Sequence, residues 1–424
     1  MAVFQGRCNP ENYLFACMVE TLKHGINYFS APAWSFTIFS FCFIWALFQR
    51  KIWTKQGTIL AMAIISLGLW VALRDPNFRT TLLKPDNAPI FLMIYLFGFF
   101  LWVAMAQAYN NDRRMEQKLP PEEKETSDQK TWVWPDLVYI EFLCMILCTV
   151  ALVVWSLEVR APLEEPANPA ETPNPSKAPW YFLGLQELLV YFDPWFAGVV
   201  LPTIIIFGLM AIPYIDINPK GSGYFCFRDR RFAIVTFLIG FFVMWDFLIP
   251  IGTILRGPGW NFFGPFEAWN PHKVVALTNV NLSEYVWIKW FYPLGKRLGW
   301  EWLSQGLPST TSRLFPLNRE SFGNLLQIFK KEFVGILFLG FWFLYLPGRL
   351  ARGPIGRFYE KIGFGRYTLS LLLAYTKGLY EKLGFARYSV AIFLFLMMAI
   401  VPMKMYFRWL MNLKYIVDTP WIKF

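Results

Sequence analysis

The feature that most constrains this chain is a recurrence. About eight runs of largely apolar residues approach the ~20 that a helix needs to cross a bilayer. They are Ala33–Phe48, Thr58–Leu73, Pro89–Ala108, Leu137–Leu157, Phe196–Ile212, Phe232–Leu255, Phe333–Leu346 and Tyr388–Phe407. With 56% hydrophobic and only 16% charged residues, few soluble folds could bury the apolar surface, so lipid must solvate part of it. The 43 Phe and 20 Trp agree, because aromatic side chains collect at membrane interfaces. The expected fold class is all-α and polytopic, with an outer-face cap and interfacial amphipathic helices. Pro202 inside the fifth run is tolerable where neighbouring helices re-satisfy the backbone.

The formal charge of +11 does not point to nucleic acid, since no nucleic-acid motif accompanies it. Its plainer source is basic inner loops. Arg50, Lys51 and Lys55 follow the first run, and Lys220, Arg228, Arg230 and Arg231 follow the fifth. The stretch Arg349–Arg387 holds eight basic and two acidic residues. Alternation places all three on one side, hence inside, and both chain ends outside. The loop after the fourth run, with Glu158, Glu164, Glu165 and Glu171, then lies outside.

Four segments follow from this reading: an N-terminal part with three spans (1–131), a three-helix core (132–255) with its long loop (158–195), a Trp-, Gly- and Pro-rich outer cap (256–331), and two further spans (332–424). The last segment contains a tandem repeat, Tyr359–Tyr367 and Tyr380–Tyr388, whose interleaved aromatic and basic residues suit an amphipathic stretch in the inner interface. A partner-docking surface is the alternative.

Only two histidines are present, His24 and His272, and neither falls in a predicted run. Membrane b-type hemes take axial ligands from inward-facing side chains, most often His on two helices. This chain cannot supply that pair, so the expectation is no heme ligand and no metal site of its own. The six cysteines form no Cys-x-x-Cys pair, and for Cys144 and Cys148, four apart inside an apolar run, small buried thiols are the bland reading. Asp246 lies inside the sixth run, where an ionisable group is a functional candidate. Proton conduction and pairing with a neighbouring subunit's basic residue are both open.

The most informative stretch is Glu165–Tyr181, Glu-Pro-Ala-Asn-Pro-Ala-Glu-Thr-Pro-Asn-Pro-Ser-Lys-Ala-Pro-Trp-Tyr, with five prolines in seventeen residues. Prolines at this density fix an extended, rigid path. Pro179 then opens a short helix from about Trp180 to Val190, with Trp180, Leu183, Gly184 and Glu187 on one face. Spacing alone leaves two readings open, a wall for a flat apolar ligand with polar ends and an ordinary Pro-rich linker.

This stretch resembles the loop between the first two helices of the C-terminal part of cytochrome b, also found as subunit IV of the photosynthetic plastoquinol–plastocyanin oxidoreductase. The family reads approximately Glu-Pro-Ala-Asp-Pro-x-x-Thr-Pro, then Pro-Glu-Trp-Tyr-Phe. The match runs without a gap through Glu165, Pro166, Ala167, Pro169, Thr172, Pro173, Trp180, Tyr181 and Phe182. Trp134-Pro-Asp-Leu-Val-Tyr and Arg230-Arg-Phe-Ala-Ile-Val-Thr-Phe-Leu-Ile-Gly extend it, so that Trp132–Leu255, under a third of the chain, is covered.

The resemblance implies a heme-free membrane subunit of a quinol:cytochrome c oxidoreductase, active only in its complex. It would furnish part of an outer-face quinol-oxidation site in an energy-transducing cytoplasmic membrane. The substrate would be menaquinol or ubiquinol. Hemes b would sit on a partner N-terminal cytochrome b subunit and a 2Fe–2S cluster on a Rieske protein, with a c-type cytochrome beyond, in a dimeric complex. Pro179, Trp180, Tyr181 and Leu183 would line the quinol, with Tyr181 either hydrogen-bonding it or ordering the loop and Trp180 serving as scaffold.

One departure matters. The family's proton-accepting glutamate aligns with Pro179, and proline accepts no proton. Glu187, seven residues past Trp180, is the candidate replacement, since a carboxyl in an apolar pocket has a raised pKa. The alternatives are that Glu187 is an ion-paired or surface carboxylate and that the chain is a structural subunit without proton chemistry. A secondary transporter would need inverted repeats, which are not seen.

Overall fold

The computed structural model describes residues 14–84, 87–125, 130–159, 166, 168–170, 172–217, 224–276, 278–299, 322–347 and 369–424. Among them the chain is helical, with no strand beyond isolated bridges at Arg256–Phe262, Val280–Leu413 and Asp418–Lys423. The chain divides into two compact units, Met1–Leu183 with Lys220–Val274, and Gly184–Pro219 with Val275–Phe424.

In the first unit, α1 (Leu14–Phe29) and α2 (Pro32–Leu47) meet at an 84° elbow. Ala31 is extended (φ −52°, ψ 141°) ahead of Pro32, because a residue before proline is pushed out of the helical region. Pro32, lacking an N–H, then opens the next helix at no hydrogen-bond cost. Thr54 caps α3 (Lys55–Ala72), its side chain accepting from Gly57 N at 3.2 Å. Asp75 caps α4 (Pro76–Leu82) by accepting from Asn77 N and Phe78 N at 2.9 and 3.1 Å. The long α5 (Ala88–Glu116) is followed by the short α6 (Glu122–Glu125) and by α7 (Val138–Glu158). The end of α2, the end of α5 and the start of α10 (Phe227–Leu238) share one core of Leu47, Trp53, Met105, Ala108, Tyr109, Phe227, Ile234 and Leu238. From Ile239 to Leu255 that last helix continues largely in π-helical turns, a geometry frequent at functional positions.

The second unit holds most of the short α8 (Leu183–Leu188), α9 (Leu201–Ile215) and the C-terminal helix Leu369–Met411. Pro202 lies inside a continuous helical stretch, where the π-helical turn Phe196–Val200 runs on into α9, so its missing N–H costs one intrahelical bond. Tyr388, Ile392 and Leu396 of the C-terminal helix pack with Trp342, Phe343 and Leu346. The chain's last residues return to this core. Buried Glu332 accepts from Ser283 Oγ (3.2 Å) and Asp418 N (3.1 Å). A Cβ on Gly335 would collide with Ile416 O, so only glycine permits that approach.

Six helices among the described residues are long and apolar enough to cross a membrane: Lys55–Ala72, Ile90–Glu116, Val133–Glu158, Phe196–Ile215, Phe227–Leu255 and Leu383–Met411. The bent pair α1–α2 makes a seventh if counted as one span. The protein is therefore an all-α, multi-pass membrane protein. Two of the eight expected runs differ from single straight spans among the described residues. The run Ala33–Phe48 forms α2 as one arm of the elbow, because Ala31-Pro32 separates it from α1. The run Phe333–Leu346 belongs to a helix that starts earlier, at Phe322, and carries Lys330, Lys331 and Glu332 in its middle. The first repeat copy, Tyr359–Tyr367, and residues 300–321 of the expected cap lie outside the described residues. The second copy runs into the C-terminal helix, which breaks at Gly384 (φ +72°), a left-handed conformation suited to glycine.

Candidate functional site

In the first unit the proline-rich loop docks on the far end of the span Phe227–Leu255. Asn174 Oδ1 accepts from Gly259 N at 2.6 Å, and Lys177 Nζ donates to Thr253 O at 2.7 Å. Thr253 lies in a π-helical turn at the end of the span, where carbonyls lack intrahelical partners and need outside donors. A Cβ on Gly252 would sit 3.2 Å from Leu183 O, so this glycine sets how closely the loop's end approaches the span. The loop then enters a 3-10 turn at Trp180–Phe182, entered from Pro179, whose carbonyl accepts from Phe182 N at 2.8 Å, and continues as α8. The expected helix from Trp180 is present, tighter in its first turn and ending at Leu188.

The four expected ligand-lining residues are placed differently from one another. Tyr181 is 49% exposed, stacked edge-on with Trp180 (centroids 5.5 Å), and Phe182 is exposed beside it (4.7 Å). Pro179 is exposed and Trp180 half-buried, whereas Leu183 is buried in packing. Trp180, Tyr181 and Phe182 thus form an aromatic corner on an anchored loop, while Leu183 anchors it from inside.

Lys177 is the group that sequence reasoning passed over as an ordinary loop charge. Its ammonium lies 4.8 Å from the Trp269 ring centroid, with Lys84 Nζ at 4.5 Å from the same ring. Burial, and secondarily the Lys84 charge, push its pKa down to about 7. A lysine two residues before Pro179 that exchanges protons near neutrality is a signal no spacing rule gives. It depends on what buries the side chain and on Lys84 lying nearby.

In the second unit Glu187 is fully buried and accepts from Tyr191 Oη at 2.9 Å. Tyr191, itself buried, accepts in turn from Trp409 Nε1 at 3.2 Å. Tyr191 sits one helical turn past Glu187, a spacing readable in sequence; Trp409, in the C-terminal helix, is not. Lys414 Nζ donates to Leu189 O (3.2 Å), and Tyr415 Oη to Asp193 Oδ1 (3.4 Å). Fully buried Lys404 presents its ammonium to the rings of Phe192 (4.5 Å) and Phe424 (4.8 Å), with no hydrogen-bond partner among the described residues. The C-terminal segment therefore pins the turn that follows α8.

Asp246 is half-buried in the π-helical stretch of its span and makes no hydrogen bond or ion pair among the described residues. Phe247 next to it stacks on Phe39 of α2 (4.2 Å). His24 lies on α1, an arm of the bent pair, which corrects the expectation that both histidines fall outside the apolar helices; the helix begins upstream of Ala33. It is exposed, as is His272, in a turn where its backbone N–H donates to Asn270.

Compared with known protein families, residues 166–255 match the model described as Cytochrome b(C-terminal)/b6/petD. No solved structure matches the chain. The matched residues run from the start of the described loop to the last turn of the span on which it docks.

Proposed function

We propose, from the C-terminal cytochrome b domain that this chain carries at residues 166–255, that it is the heme-free half of a split cytochrome b in a bc-type quinol oxidoreductase. The observation that carries this reading is the anchored loop. A sequence ungapped against the family's quinol-oxidation loop is held rigid by Lys177–Thr253 and Asn174–Gly259 contacts and ends in the aromatic corner Trp180–Phe182. Flat exposed rings beside polar backbone groups suit a quinol head, which is apolar in its ring and polar at its two hydroxyls.

Oxidation removes two electrons and two protons from the quinol. Partner subunits supply the electron acceptors, a Rieske 2Fe–2S cluster and a low-potential heme b. This chain's residues position the ring and take protons. Glu187 is the proposed acceptor. Lys177, neutral for part of the time near pH 7, is a second group able to take a proton. A c-type cytochrome and a cytoplasmic-type energy-transducing membrane complete the assignment. One histidine on a helix and one in a turn cannot form a bis-histidine pair across the membrane, which favours a partner as the holder of both hemes b.

The test is affinity purification of the tagged chain from its native membrane. It is expected to bring down a heme-b chain and a Rieske protein, with no heme spectrum on this polypeptide when separated. A heme bound to this chain, or a complex without a b-type partner, contradicts the assignment.

A further inference from the structure

A pocket of about 370 Å³ opens in the first unit where α2, α5 and the start of α10 end together, lined by Phe48, Arg50, Tyr109, Asp112, Glu116, Phe227, Arg228 and Arg231. Its two carboxylates are already engaged. Glu116 is paired with Arg50 at 2.9 Å, and Asp112 takes the backbone N–H of Arg228 on both oxygens at 3.1 and 3.0 Å. Tyr109 Oη is engaged as well, donating to Leu47 O. Two cations are left. Among the described residues neither the Arg228 nor the Arg231 guanidinium forms an ion pair or hydrogen bond; Arg231 lies only over the Phe48 and Phe227 rings, at 5.8 and 5.6 Å. Both arginines are exposed.

The pocket therefore offers two free guanidinium forks at the rim of a hydrocarbon-facing helix group. Arginine forks match the oxygens of a phosphate better than any other side chain. Below the rim, α2 turns Phe41, Trp45 and Phe48 outward, an apolar track leading away from the cationic mouth. The end in question also carries Arg50, Lys51, Arg113 and Arg230. Basic residues at span ends mark the inner side, where acidic residues weigh little and where the leaflet is anionic.

We propose that this pocket binds the phosphodiester headgroup of an anionic phospholipid of the inner leaflet, with Arg228 and Arg231 on the phosphate and acyl chains along α2. The lipid would tie the chain's N-terminal helices to the start of α10. A free phosphate shares the headgroup's charge but gains nothing from the apolar track, which is why the lipid is favoured.

The complex is reconstituted in nanodiscs of phosphatidylcholine with or without phosphatidylglycerol, re-extracted in mild detergent, and its retained lipid counted by mass spectrometry. Preferential retention of phosphatidylglycerol is expected. An Arg228→Gln/Arg231→Gln variant should lower that preference about tenfold or more, since each arginine near an anionic surface contributes roughly a factor of five. Arg228→Lys/Arg231→Lys, which keeps the charge, should retain most of it. Equal retention of both lipids, an unchanged preference in the double Gln variant, or full displacement of phosphatidylglycerol by excess inorganic phosphate overturns the proposal. If the Gln variant does not assemble, the lipid comparison on the unmodified and Lys-substituted proteins decides alone. Turnover of quinol is not the readout, so the outcome is separate from that of the assignment above.

Discussion

Replacing Glu187 with Gln is expected to lower quinol oxidation by the assembled complex by about 100-fold, the scale on which a positioned acid or base contributes. The substitution removes the ionisable group at nearly constant volume. Gln keeps the shape of the side chain and an oxygen that can accept from Tyr191 Oη, a bond of 2.9 Å to Glu187, so assembly should survive. What is lost is the capacity to take a proton. Tyr191→Phe sharpens the reading. It removes the hydroxyl joining Glu187 to Trp409 while leaving the carboxyl in place, and should give a smaller fall with an altered pH profile. Turnover and pH dependence both unchanged in Glu187→Gln would remove this residue from the chemistry and favour the structural-subunit alternative.

The second large effect concerns Lys177. Its folded pKa is about 7, against the ordinary lysine value of roughly 10.4 expected in the unfolded chain. The sign follows from the protons bound. Below pH 7 both states are charged and the cost of holding a partly buried ammonium is fully present. Between about 7 and 10 the unfolded chain keeps its proton while the folded one has lost it, so stability rises with pH. Beyond that window the contribution is level. Lys177→Met removes the group, and the difference in unfolding midpoint between the parent protein and this variant should grow in the parent's favour from pH 7 to pH 10. Parallel midpoint curves over that range would show that Lys177 does not titrate there. The same variant loses the donor to Thr253 O, so the loop is expected to become more accessible to protease at every pH.

Several elements were legible in the sequence because they rest on local rules. Six apolar runs correspond to single spans among the described residues, since helix length in lipid is set by bilayer thickness. The proline density before Trp180 and the short helix after it were likewise readable, because proline acts on its own neighbours. The α1–α2 elbow was missed even though its cause, Ala31-Pro32, is local. Hydrophobicity alone registers an apolar arm without registering that it is bent. What no local rule reaches is pairing at long range. Lys177 meets a carbonyl 76 residues on, and Trp409 meets Tyr191 across 218. These contacts show that the loop is anchored on the span, which its spacing left open.

The C-terminal segment carries a related lesson. Residues after Leu255 fall outside the matched family domain, yet Trp409, Lys414 and Tyr415 secure Tyr191, Leu189 and Asp193. The turn after α8 is thus buttressed by sequence that the family match does not cover.

The central claim is that residues from this chain line the quinol. The measurement that tests it most directly is photo-crosslinking of an azido-quinone in the purified complex, followed by peptide mapping. The predicted result is label on the segment Ala178–Glu187, concentrated at Tyr181 and Phe182 and suppressed by excess natural quinol. Label confined to other subunits, or on this chain only outside that segment, would contradict the account.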